Sequence, residues 1–157
     1  MRGGLLLAAA LVLMPAPARA QATVELDAAA AQRIVAGCAD HATARGQSHA
    51  IAVVDAAGSL VAFLRMDRNT PGVAEFALEK ARAVAHWRFS TAGMEEAAEG
   101  TPGFARAPRV VTVAGGVPIF SPDSRFLGAV GVSGEPPEDD AACASAGIEA
   151  AGFRTER

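Results

Sequence analysis

The sequence predicts an α/β domain of the α+β kind, a mainly antiparallel sheet flanked by helices. Three observations carry this prediction. Segments with helical apolar spacing and short runs rich in Val, Ile and Phe follow one another as helix, two strands, helix, about three strands, helix. Most successive strands are separated by too few residues for a crossover helix, so hairpins join them and neighbours run antiparallel. The chain has 157 residues, enough for one domain and its core.

The first stretch, "MRGGLLLAAALVLMPAPARA", stands apart from that pattern. Arg2 is its positive start, Leu5 to Met14 its apolar run, and Pro15 and Pro17 precede the small-residue end Ala18-Arg19-Ala20. This is the pattern of a secretory signal with an A-x-A cleavage site. Its apolar run is about half of the roughly 20 residues that span a bilayer. The expectation is an exported protein, periplasmic or secreted, with signal peptide 1–20, a single domain over 21–157, and no membrane span after cleavage.

Within the domain, "LDAAAAQRIVAGCADHATARG" reads as a helix, with Asp27 as N-cap and Gly46 as its stop. "AIAVVD" and "SLVAFLRM" are strands around the turn Ala56-Ala57-Gly58, where Gly58 can take positive φ. Thr70-Pro71-Gly72 opens a helix that runs to about Thr91. "AGMEEAAEG" is a shorter helical piece, followed by the loop "GTPGFARAPR". "VVTVAGGVPIF" and "FLGAVGVSG" read as strands joined by "SPDSR", with Pro118 marking a bulge or an edge. Pro136 and Pro137 open the last helix, and Glu138, Asp139 and Asp140 complement its dipole.

The second helix holds the only lysine among 14 basic residues. At 100° per residue, Val73, Phe76, Ala77, Lys80, Ala81, Val84 and Trp87 share one arc of roughly 140°. Glu75, Glu79, Arg82 and His86 lie opposite. Lys80 thus sits on the apolar face, where a charge needs a partner or a purpose. A buried pair with Asp55, Asp67 or Asp140 would satisfy it. A desolvated lysine also serves as general base, Schiff-base former or carboxylate anchor.

Other chemistries fail on composition or spacing. Without Arg2 and Arg19 the basic count falls from 14 to 12 against 17 acids, a net charge of −5, with no basic stripe for nucleic acid. No two histidines of His41, His49 and His86 have metal-ligand spacing, so no metal site is expected. "GVSGE" departs from the G-x-S-x-G elbow by placing the second glycine one residue early. Gly115, Gly116, Gly131 and Gly134 border two strands, where glycine admits either a ligand or a closely packed backbone. The turn after Gly134 could also receive an anion. Cys38 and Cys143 fall on apolar helix faces. They form a disulfide if the first and last helices pack side by side, and otherwise two inert buried thiols.

The ordered segments "IAVVDAAGSLVAFLRMD", "LEKARAVA", "GGVPIF", "LGAVGVSG" and "DDAACA" resemble the GlcG/HbpS family, from about Leu26 to about Ala151. The resemblance implies a profilin-like α/β domain with a mainly antiparallel five-stranded sheet, and association into homo-oligomers. The family includes haem-binding and haem-degrading proteins and a domain fused to corrinoid adenosyltransferases. Its motifs match Arg65, Met66 and Asp67, then Lys80-Ala81, then Gly115, Gly116 and Pro118, then Gly131 to Gly134 with Ser133, then Asp140. Together these imply one pocket at the sheet end, with Lys80 answered by a carboxylate. The link "EPPEDD" is less rich in glycine and serine than is common in the family.

The expected function is therefore binding of a small ligand, with haem as the named candidate. Lys80 and Arg65 would meet its propionates, and Phe76 and Trp87 its apolar face. None of the three histidines stands out as an axial ligand. The alternatives are an enzyme using Lys80 with Asp140 or Asp67 on a carbonyl or carboxylate substrate, and a structural oligomer.

Overall fold

The computed structural model describes residues 25–157; the signal sequence read over 1–20 lies outside the described residues. The elements are α1 (Ala28–Ala44), β1 (Ala50–Asp55), β2 (Leu60–Arg65), α2 (Pro71–Trp87), α3 (Thr91–Gly100), a 3-10 turn (Phe104–Arg106), β3 (Gly116–Phe120), β4 (Phe126–Ser133) and α4 (Pro137–Ala150). Asp27 caps α1 as expected, its carboxylate accepting from the Ala30 amide at 2.7 Å.

The sheet has four strands, not five, in the order β2-β1-β4-β3. All neighbours are antiparallel. The missing strand is the stretch before Gly116. Gly115 takes φ +122, outside the extended region open to other residues. The backbone bends there, and 110–114 leaves the ladder; Val110 and Val111 pack on the α2 side instead. The second helix also ends earlier than Thr91. Arg88 turns left-handed at φ 67, and Ser90 caps a new helix by accepting from the Gly93 amide at 3.1 Å.

Helices cover both faces. Ile51 and Val53 of β1, Val130 and Val132 of β4, and Val117 and Ile119 of β3 meet α1 and α4. The alternate residues Ala50, Ala52, Val54 and Ala129 meet α2. This period-two alternation sends bulky side chains one way and mostly small ones the other, so α2 lies close to the sheet. At Gly131 the approach is closest: a β-carbon there would fall onto the Ala77 carbonyl oxygen and the Ala81 amide nitrogen. Gly131→Ala is expected to lower stability by about 3 kcal/mol, since neither backbone atom can yield without moving α2. Urea denaturation measures this, and a loss under about 0.5 kcal/mol would refute the close contact.

On the other face, α1 and α4 pack directly together, with Gly147 against the Ile34 carbonyl and Cys38. Cys38 and Cys143 are joined, with Sγ–Sγ 2.01 Å. The side-by-side arrangement that a bridge required is the one observed. Among the described residues no helix is long and apolar enough to cross a membrane.

Candidate functional site

Lys80 lies where the helical arc places it, 1% exposed. Its ammonium group donates to the Val132 carbonyl and to Asp140 Oδ2, both at 2.9 Å. Of the three carboxylates considered, Asp140 is the partner. Asp55 instead accepts from the Ala57 and Ser59 amides and shapes the β1–β2 turn, and Asp67 is exposed. Asp140 stands in the first turn of α4, on the opposite side of the sheet from α2. The lysine reaches it at the start of β3. A β-carbon on Gly115 would lie 2.7 Å from Lys80 Nζ and 2.5 Å from the Val132 carbonyl oxygen, so the missing side chain is what leaves the passage open.

The second carboxylate oxygen is also engaged. Asp140 Oδ1 takes His49 Nδ1 at 3.0 Å and the Glu135 amide at 3.2 Å. An ionised carboxylate only accepts, so His49 donates through Nδ1–H. That leaves His49 Nε2 buried without a hydrogen-bond partner. His49 and Asp140 are 0% and 2% exposed. The backbone donor after Gly134, open to an external anion in the sequence, is thus used by the chain's own Asp140. The Lys80 cation also faces the Phe76 ring, 4.9 Å from its centroid. His41 is half-buried on α1. Burial first, and then the positive charge of Arg45, hold its pKa below the ordinary value.

This cluster is closed. Its ammonium group is hydrogen-bonded twice and its carboxylate three times, within a nearly solvent-free space. It suits holding three segments together better than attacking a substrate, because a nucleophilic amine must be neutral and reachable.

The remaining residues of the expected pocket are dispersed. Gly116 and Pro118 wall a groove of about 440 Å³, with Gly115, Phe89, Val117 and Phe120 beside them and Arg88 and Arg157 at the lining. Arg65 and Asp67 line a different groove of about 390 Å³ with Gln47 and Ser48. Ser133 is buried at the end of β4, opposite Ala50. Gly134 takes φ +138 against the Ser48 carbonyl. Phe76 is 37% exposed rather than buried with its arc, because the first turns of α2 are largely uncovered and full burial begins at Ala77.

The sequence reading did not connect His49 with Asp140. Parity carried the signal: His49 is in phase with Ile51 and Val53, which face α1 and α4. Arg88 and Arg157 had no comparable signal, because their place in the groove depends on a helix end and the chain's last turn.

Comparison with known proteins agrees with this architecture. Protein GlcG of Escherichia coli (strain K12) is 40% identical over 104 residues, 66% of this chain and 77% of that protein. A double mutant of Streptomyces reticuli HbpS superposes with TM-score 0.72 at 26% identity, over 90% of this chain and 97% of that one. The PduOC:heme complex superposes with TM-score 0.78 at 23% identity, over 85% of this chain and 100% of that one, a likeness of fold. The family described as "Haem degrading protein HbpS-like" matches residues 26–149, and with the GlcG relationship this establishes that the chain belongs to the HbpS-like family.

Proposed function

We propose that this chain is an exported protein that binds a small, flat, apolar ligand bearing carboxylates, with haem as the first candidate. The observation that carries the reading is the 440 Å³ groove beside β3. Its Phe89, Val117, Pro118 and Phe120 walls suit a hydrophobic ring, and the guanidinium groups of Arg88 and Arg157 suit paired carboxylates. The haem complex of PduOC and the family's description favour haem among such ligands. The disulfide favours an oxidising compartment.

The lining supplies ring contacts and charge partners for haem. No histidine lines this groove, and the chain has no tyrosine. His86, exposed on the last turn of α2, lines the neighbouring groove at the β1–β2 turn instead, so this reading draws on no histidine of the chain as nitrogen donor. Bound haem would supply redox-active iron; the chain's part is to hold the ring and neutralise its carboxylates. Lys80 and Asp140 act in this reading as the brace behind Gly115, not as a catalytic pair. Self-association belongs to the same reading: β2 is a sheet edge, with Leu60 and Phe63 exposed.

Haem titrated into the protein is expected to give a Soret band that saturates at about one per chain. Ser145 of α4 also lines the groove, and Ser145→Trp, which fills it, is expected to weaken binding by at least tenfold. A band that never saturates, or one indifferent to Ser145→Trp, would overturn the assignment.

A further inference from the structure

A second groove, of about 610 Å³, lies at the far end of α2 against the β1–β2 turn. Arg82, Arg88, Arg109 and His86 line it, and the turn from Ala56 to Ser59 forms its other side. The whole chain carries a net charge of −3, so three arginines lining one groove run against its overall balance. Each is positioned by something definite. Arg88 takes its left-handed backbone at φ 67, donates to the Ala56 carbonyl at 3.4 Å and lies over the Phe126 ring, 4.2 Å from its centroid. Arg109 is also left-handed, at φ 58. Its loop is tied to the end of α2 by the Trp87 indole, which donates to the Pro108 carbonyl at 3.1 Å.

Of the carboxylates near this cluster, one is committed to its own turn and one pairs with a member of the cluster at the surface. Asp55, at the base of the turn, spends one carboxylate oxygen on the Ala57 and Ser59 amides. Glu79 pairs with Arg82 at 3.1 Å on an exposed surface, a contact that competes weakly with a multiply charged ligand. Cations near a helix C-terminus complement its dipole, and that accounts for His86 and Arg88. It does not account for Arg109, which a separate loop brings to the same space.

We propose that this groove binds a small organic polyanion carrying two or more carboxylate or phosphate groups. Guanidinium forks offer paired donors to either group, and the volume is in the range of metabolite sites. The site shares only Arg88 with the apolar groove beside β3. Arg82 and Arg109 do not line that groove, so the two readings fail separately.

Calorimetric titration of the full chain at low ionic strength, with citrate and with pyrophosphate as metal-free probes, tests the proposal. At least one probe is expected to bind saturably at about one per chain. Arg109→Gln is expected to weaken it at least tenfold, and Arg82→Gln severalfold, with both variants retaining the wild-type melting temperature. Citrate alone would assign a polycarboxylate, and pyrophosphate alone a phosphate ester. Absence of binding by both probes, or affinity unchanged in both variants, would overturn the site. Should either substitution disturb melting, the other, on a different segment, decides the outcome.

Discussion

Lys80→Met is expected to destabilise the protein by about 3–5 kcal/mol, the cost of leaving one member of a buried ion pair without its partner. Methionine fits the path of the lysine stem, so lost packing contributes little. What remains is a carboxylate 2% exposed, still held by His49 and the Glu135 amide but without a cation. The double replacement Lys80→Met with Asp140→Leu is expected to recover much of the loss, because apolar side chains of similar size can replace a buried pair at little cost. Chemical denaturation of the single and double variants measures both. A single-variant loss below about 1 kcal/mol would mean that the pair is solvated in solution, and the brace behind Gly115 would have to be abandoned.

Replacing Cys38 and Cys143 together by alanine should be about as damaging. The bridge spans a separation of 105 residues, and chain entropy assigns a loop of that size about 4.7 kcal/mol. Both positions are fully buried where α1 meets α4, so alanine keeps the helices in contact while freeing the unfolded chain. The urea midpoint should fall strongly in the variant, and addition of a reductant should then change nothing further. An unchanged midpoint would show that the bridge is not formed in the folded protein in solution.

Most of the fold was legible because its signals are local and periodic. Asp27, Pro71 and the paired prolines Pro136 and Pro137 at the start of α4 marked helix starts. The short apolar run "AIAVVD" before the Ala56-Ala57-Gly58 turn marked β1 as a strand. The helical arc put Lys80 inside correctly, yet it could not choose among Asp55, Asp67 and Asp140, since that choice depends on which segment crosses the end of β3. The fifth strand failed for a reason periodicity cannot register: one backbone angle at Gly115 removes five apolar or β-branched residues from the ladder. The glycines were ambiguous between ligand access and close packing. Gly131 is now seen to serve packing against α2, and Gly115 the passage of a lysine. The two proposed binding grooves are built from helix ends, turns and loops far apart in sequence, and no one-dimensional spacing describes them.

The cross-sheet ion pair has a consequence for the order in which the protein folds. Both of its long-range closures depend on α4: Asp140 neutralises Lys80, and Cys143 captures Cys38. As the chain emerges N-terminus first, α2 presents its ammonium group to the sheet before the neutralising carboxylate exists. The intermediate lacking α4 is thus penalised for docking α2 fully, and stays loose until α4 arrives. Neutralisation of the buried lysine and locking of the α1–α4 core are thereby coupled to the same segment.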